Sequence, residues 1–242
     1  MKGFDERIIR SSKEKRSRIV LALDASGPFE ERLRHAEKVL SQTKNGIAAV
    51  KMNYHLLLPF GLGGVRRIIR VCGDNGLPLI ADLKLNDIGS TNVNAVESLF
   101  SYGFDALIAN PFVGYEGGLD GAIERAHALH GGVLLLVYMS HPGAKEGYSL
   151  RVGAGKPLYQ MFAERAKLWG ADGVVVSGKS EEKITETRGI VGKKCLIFAP
   201  GIGAQGGNAE AGVSSGADFL IVGRMIMESP EPSEVVRQLN HA

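Results

Sequence analysis

At 242 residues, 44% of them hydrophobic, the chain is long enough to bury one sizeable core and fits one domain. Its 29 basic and 26 acidic residues leave a formal charge of +3, and residues 1–18 alone hold seven basic and three acidic side chains, so the remainder is close to neutral and lacks the basic face of a nucleic-acid binder. The N-terminus alternates charges instead of presenting a secretory signal, and the longest apolar stretch, Val133–Met139, is far short of the ~20 residues a membrane helix needs, which predicts a cytoplasmic protein with no membrane span.

Residues 1–18 read as an exposed basic leader, a short helix ahead of a catalytic domain at 19–242. From there short apolar runs recur: Ile19–Leu23, Ile47–Met52, Pro78–Leu83, Ala106–Ala109, Val133–Tyr138, Gly173–Val176, Leu196–Ala199 and Phe219–Val222. Their near-continuous hydrophobicity is the mark of parallel strands covered on both faces. Between them come helical stripes: Phe29, Leu33, Ala36, Val39 and Leu40; then Val65, Ile68, Ile69 and Cys72; then Val93, Val96, Leu99 and Phe100. Leu158, Met161, Phe162 and Trp169 repeat the scheme, and Val235, Val236 and Leu239 end it. An open doubly wound sheet shares this alternation, but eight comparable units in this length favour closure into a single (β/α)8 TIM barrel of the α/β class. No glycine-rich dinucleotide fingerprint follows the first run, where Asp24-Ala25-Ser26-Gly27-Pro28 stands instead. Cys72 and Cys195 have no redox or metal-ligand spacing and read as buried thiols.

In such a barrel the active site is assembled at the carboxyl ends of the strands, so the polar residues after each run are the candidates. The first run ends in Asp24, the second carries Lys51 near its end, the third runs into Asp82-Leu83-Lys84-Leu85-Asn86-Asp87-Ile88, and the fifth leads to Ser140-His141. The seventh gives Pro200-Gly201-Ile202-Gly203-Ala204-Gln205-Gly206-Gly207 and the eighth Gly223-Arg224. Residues two apart in a strand share a face, so Asp82 and Lys84 project together and Asp87 follows in the loop, two acids bracketing one ammonium. Carboxylate neighbours hold an ammonium charged, which suits Lys84 to be a general acid rather than a Schiff-base nucleophile. An ion-pair network without chemistry is the plainer reading of an isolated Asp-x-Lys, and it weakens as the other strand ends are added. Loops after the last two strands commonly bind phosphate in this fold, so Gly201, Gly203 and Gly223 with Arg224 imply a phosphorylated ligand. The six histidines form no ligand set and no metal is expected. His141 reads as a supporting hydrogen-bonding residue, and Thr91 stays open between a helix cap and a site residue.

The run Asp82-Leu83-Lys84-Leu85-Asn86-Asp87-Ile88 resembles the Asp-x-Lys-x-x-Asp-Ile signature of orotidine 5′-monophosphate decarboxylases. Leu21-Ala22-Leu23-Asp24, Val50-Lys51, Met139-Ser140-His141-Pro142-Gly143-Ala144, the Pro200–Gly207 segment and Ile221-Val222-Gly223-Arg224 resemble further segments of that family in the same order. The likeness spans nearly the whole barrel and is nearest to the short archaeal type. It implies decarboxylation of orotidine 5′-monophosphate to uridine 5′-monophosphate and CO2, the last step of de novo UMP synthesis, with no cofactor. It implies a charged tetrad of Lys51, Asp82, Lys84 and Asp87, with Lys84 stabilising and protonating a C6 carbanion, and a homodimer in which Asp87, Ile88 and Thr91 enter the neighbouring subunit's site. Asp24, Lys51 and Thr91 would take the ribose hydroxyls and Ser140 the pyrimidine amide edge. Gln205 and Arg224, with Pro200, the Gly201–Gly203 turn and Gly223, would take the phosphate.

The chain departs from the family pattern at Asn53, where many relatives have glycine, at Asn110-Pro111-Phe112, where a histidine is frequent, and in the long glycine-rich stretch Lys145–Lys156. Magnesium-dependent sugar-phosphate lyases share Asp-x-Lys-x-x-Asp, but an acidic residue is typical of their second strand, where Lys51 stands here. A barrel that only binds nucleotides would gain little from holding four ionised groups together.

Overall fold

A computed structural model describes residues 3–153, 155–203 and 206–241. Eight parallel strands, β1 (Ile19–Ala22), β2 (Ala49–Asn53), β3 (Leu79–Leu85), β4 (Ala106–Ala109), β5 (Gly132–Tyr138), β6 (Gly173–Val176), β7 (Leu196–Pro200) and β8 (Phe219–Val222), pair in chain order. β8 returns to β1 with Ile19 opposite Leu220, which closes the (β/α)8 barrel. The observed strands differ from the expected ones only at their ends. Among the described residues no helix is long and apolar enough to cross a membrane.

Side chains alternate across the barrel wall with the period of two that a strand imposes. In β2, Ala49, Lys51 and Asn53 face the interior while Val50 and Met52 pack on the surrounding helices. The interior is filled by Val20, Ile80, Ala106, Leu134, Phe198 and Phe219, and by a second tier of Ala22, Ile108, Leu136, Val175 and Ile221. That second tier is also the floor of the cavity above it. A packed lower barrel under an open upper end is the usual division of labour in this fold: stability below, chemistry above.

The basic leader is not the exposed segment its charges suggest. Residues Phe4–Lys15 form a helix whose Phe4, Ile8 and Ser11 are buried. Phe4 stacks 6.3 Å from Phe198, and its ring lies so close to Gly132 that a Cβ there would meet it at 2.7 Å. Ser11 Oγ donates to Ala48 O at 2.7 Å, and Arg7 pairs with Asp105 at 2.9 Å. Phe4, Ile8 and Ser11 share the inner face of the helix, which plugs the barrel floor, and Arg7 at its edge is held by Asp105 while most of the other charges face solvent.

After β2 the single expected helix is two, Tyr54–Gly64 and Arg66–Asp74, with Gly61 at φ 59° breaking the first. The run Leu56-Leu57-Leu58 with Pro59 and three nearby glycines carries no helical stripe, which is why periodicity does not reveal it. Between β5 and β6 the long loop forms a small antiparallel hairpin of Arg151–Val152 with Lys156–Pro157. Tyr138, Tyr148 and Tyr159 pack edge to face beside it, and Tyr148 O accepts the Tyr159 N–H at 3.0 Å, which anchors the loop carrying Ser140.

Candidate active site

A cavity of about 610 Å³ opens at the carboxyl ends of the strands. Every residue expected there from β1, β2, β5 and β8 lines it: Asp24, Lys51, Ser140, Gly223 and Arg224. Asp82 and Lys84 join them from β3, and Pro200 and Gly201 from β7.

The charges alternate in a chain. Lys51 Nζ donates to Asp82 Oδ2 at 2.7 Å and lies 3.6 Å from Asp24 Oδ1, while Lys84 Nζ donates to the other oxygen of Asp82, also at 2.7 Å. Lys51 is almost wholly buried, its side chain 6% exposed against 35% for Lys84. Burial by itself would push the Lys51 ammonium toward the neutral amine, but Asp82 and then Asp24 outweigh it, and its pKa is raised. Burial likewise works against the Asp82 carboxylate, and the ammonium groups of Lys51 and Lys84 overcome it, so its pKa is lowered. Each buried charge is therefore held by its neighbours.

Strand alternation accounts for Asp82 facing inward, but Lys84 needs more. Its backbone sits at φ 49°, in the left-handed region that costs an L-residue about 1 kcal/mol. The pairing with β4 shifts register between Ala81 and Leu85 at the same place. This local irregularity aims Lys84 at the cavity rim, as bulges next to active sites do.

The bracket of two acids expected around Lys84 is not built from Asp82 and Asp87 within one chain. Asp87 is exposed, and its Oδ1 accepts the Ile88 N–H at 2.7 Å. The buried Asn92 amide holds this turn by donating to Asp87 O at 2.5 Å and Gly118 O at 3.0 Å. In the cavity the ammonium flanked by two acids is Lys51, between Asp24 and Asp82. Asp87, Ile88 and Thr91 all lie exposed outside the cavity of their own chain. Thr91 caps nothing: the helix Gly89–Ser101 starts after Ile88 with no side-chain cap.

The turn after β7 folds back on itself, with Gly203 N–H donating to Gly207 O at 2.8 Å and Gly207 N–H to Gly201 O at 3.0 Å. Gly203 has φ 73°, and a Cβ there would stand 2.3 Å from Met225 Sδ, so any other residue would be strained and would have to displace that side chain. Gly203 does not line the cavity, and Gln205 lies outside the described residues. Gly223 serves a different need: a Cβ on it would stand 2.9 Å from Asp24 Oδ2.

A family model described as Orotidine 5′-phosphate decarboxylase / HUMPS family matches residues 17–239. The orotidine 5′-phosphate decarboxylase of Methanosarcina barkeri is 38% identical over 226 residues, 93% of this chain and 94% of that protein. That of Pyrococcus abyssi is 37% identical, covering 91% and 96%. The chain belongs to this family. With curated decarboxylases matched nearly end to end, the enzyme is a carboxy-lyase. Its fold overlays that of orotidine 5′-phosphate decarboxylase from Pyrococcus horikoshii with a TM-score of 0.75 at 36% identity, over 92% of this chain and 97% of that one. The enzyme from Methanocaldococcus jannaschii, solved in complex with the inhibitor BMP, gives 0.79 at 28% identity over 93% and 97%.

Three further polar residues of the enzyme face the cavity. Asn53 donates to Asp24 Oδ1 at 2.7 Å, and its own Oδ1 accepts the His55 N–H at 2.9 Å, which fixes the amide's orientation. Ser177 and Lys179 follow β6 and line the wall. Inspecting the residues after every apolar run, the sixth included, is the signal that finds them. His141 also lines the cavity.

Proposed function

We propose that this enzyme converts orotidine 5′-monophosphate to uridine 5′-monophosphate and CO2, with Lys84 as the proton donor. The observation that carries the reading is the alternating row Asp24, Lys51, Asp82, Lys84 across the cavity mouth, ending in the lysine nearest to open space. Loss of CO2 from pyrimidine C6 leaves a carbanion with little delocalisation, so a fixed positive charge beside that carbon stabilises it and a proton must follow. The Lys84 ammonium supplies both. Asp82 orients Lys84 through the 2.7 Å hydrogen bond and faces the departing carboxylate. Lys51 keeps Asp82 ionised and, with Asp24, takes ribose hydroxyls.

Ser140 reads the pyrimidine amide edge. The phosphate goes to Arg224, Gly223, Pro200, the Gly201–Gly203 turn and Gln205, and remote binding energy there organises the charged row. The apolar floor of Ile108, Leu136, Val175 and Ile221 excludes water beneath the base. The Lys51 ammonium already fills the space between Asp24 and Asp82, which favours decarboxylation over the magnesium-dependent lyase chemistry of the wider suprafamily.

The working unit is a homodimer in which Asp87, Ile88 and Thr91 complete the partner's site. Their exposure, on the turn after β3 and the first turn of the helix that follows, away from their own cavity, supports this, as does Ile88, an apolar side chain 64% exposed.

The test follows the pyrimidine absorbance of orotidine 5′-monophosphate with the parent protein and with Lys84→Ala. CO2 release by the parent and its loss in the variant are expected; binding without release by the parent would refute the reading. For the dimer, Lys84→Ala and Asp87→Ala chains co-expressed in equal amounts should regain about a quarter of the parent activity, since half the dimers are hybrids with one intact site each. No recovery would refute the shared site.

A further inference from the structure

Six charged side chains line the cavity: Asp24, Lys51, Asp82, Lys84, Lys179 and Arg224. The first four make up the row, in which each charge has an opposite neighbour no more than 3.6 Å away. Lys179 and Arg224 are left over: among the described residues neither side chain has an ion-pair or hydrogen-bond partner. The cavity as one chain builds it thus holds two uncompensated cations.

Topology puts these two on either side of one turn. β7 pairs with β6 on one flank and with β8 on the other, so Lys179, after β6, and Arg224, after β8, flank the Gly201–Gly203 turn. The row belongs to β1, β2 and β3, and β3, which carries Lys84, lies diametrically opposite β7 in the barrel. The backbone under Lys179 is fixed. Ser177 N–H donates to Tyr138 O at 3.0 Å, Gly178 N–H to Pro200 O at 2.7 Å, and Ser180 N–H closes the turn on Ser177 O at 3.2 Å. Gly178 packs against the returning arm of the β7 loop, where a Cβ on Gly207 would stand 2.9 Å from its carbonyl oxygen. Of the four residues in this turn Lys179 alone is exposed.

We propose that Lys179 is a further phosphate-binding residue, which with Arg224 holds the substrate's phosphate from both flanks of the β7 turn. This rests on the placement of the phosphate at that turn given above. Two cations beside one cavity repel each other until an anion of matching charge arrives, and a phosphate monoester carries nearly two negative charges at neutral pH. Arg224 offers a planar fork that fixes the direction of two oxygens, and Lys179 offers a point charge on a flexible stem that follows a remaining one. The reacting carbon lies toward β3, so this excess charge serves the phosphate and leaves the balance of the row undisturbed.

Calorimetric titration with uridine 5′-monophosphate, alone and in competition with uridine or inorganic phosphate, tests this on the parent, Lys179→Gln and Lys179→Arg. Lys179→Gln should weaken uridine monophosphate and inorganic phosphate about tenfold each, the low end for a hydrogen bond to a charged group, and leave uridine unchanged. Lys179→Arg keeps the charge and should keep most of the affinity. Added salt should narrow the gap between the parent and Lys179→Gln. Undiminished uridine monophosphate binding in Lys179→Gln, or equal losses for the nucleotide and the nucleoside, would mean that the lysine serves solvent or the loop, and the proposal falls. A parent that decarboxylates orotidine monophosphate while Lys179→Gln binds both phosphate ligands as the parent does would sink the proposal and leave the decarboxylase reading standing. A parent that shows the expected dependence on Lys179 but releases no CO2 would do the reverse. A parent that binds uridine monophosphate no better than uridine overturns the phosphate placement and Lys179 with it.

Discussion

Lys51→Met and Lys84→Met remove the same charge from the middle and from the end of one ion-pair row, and the structure predicts unequal consequences for stability. Lys51 is buried between two carboxylates, 2.7 Å from Asp82 and 3.6 Å from Asp24. At an effective dielectric near 20 those contacts carry roughly 6 and 5 kcal/mol of attraction before desolvation is subtracted. Methionine fills the same volume but leaves Asp24 and Asp82 facing one another without the cation between them, and breaking a buried pair in this way costs about 3–5 kcal/mol. Lys84 has one partner and a side chain about a third exposed, so its loss should cost at most about 1 kcal/mol. Urea unfolding read by circular dichroism gives both numbers, provided the slope against denaturant is unchanged. Turnover should behave differently: both variants fail, with Lys84→Met losing about ten-thousandfold or more as general acid and charge stabiliser together. If Lys51→Met is no less stable than Lys84→Met, the claim that Lys51 is held in place by two buried carboxylates is wrong.

Because Lys84 sits at φ 49°, Lys84→Gly should be more stable than Lys84→Ala by about 1 kcal/mol, measured by the same denaturation, whereas in a relaxed strand alanine would win. His127 Nε2–H donates to Asp172 Oδ2 at 3.1 Å, and this hydrogen bond raises its pKa against partial burial. A histidine whose folded pKa lies above the unfolded value stabilises fully below that value and loses the contribution as pH rises through the folded one. The stability gap between the parent and His127→Gln should thus be widest below about pH 6 and close at higher pH; a gap independent of pH would exclude the charge interaction. Burial pushes the Cys72 and Cys195 thiols up to about 12, so neither should react with a disulfide reagent at pH 8 until the protein is unfolded, and prompt labelling of the native protein would contradict their burial.

The order and number of strands were legible because buried parallel strands leave continuous apolar runs, a signal carried by each segment alone. Asp24, Lys51, Asp82, Lys84, Ser140, Gly223 and Arg224 were legible for a related reason: a barrel gathers the residues after its strands onto one rim, so position in the chain stands in for position in space. The amphipathic leader was misjudged because charge density is visible in sequence, whereas the three buried positions of its inner face, Phe4, Ile8 and Ser11, acquire meaning only when a barrel floor exists for them to fill. Tertiary structure alone decided which ammonium is bracketed by which acids. Ion pairing depends on distances of a few ångströms between separate strands, and a local departure from strand geometry at Lys84 with an outward turn at Asp87 is enough to reassign the partners. The hydroxyl contact between Ser140 and Ser177, 37 residues apart, belongs to the same class: no spacing in the chain encodes it, and the pairing of β5 with β6 creates it.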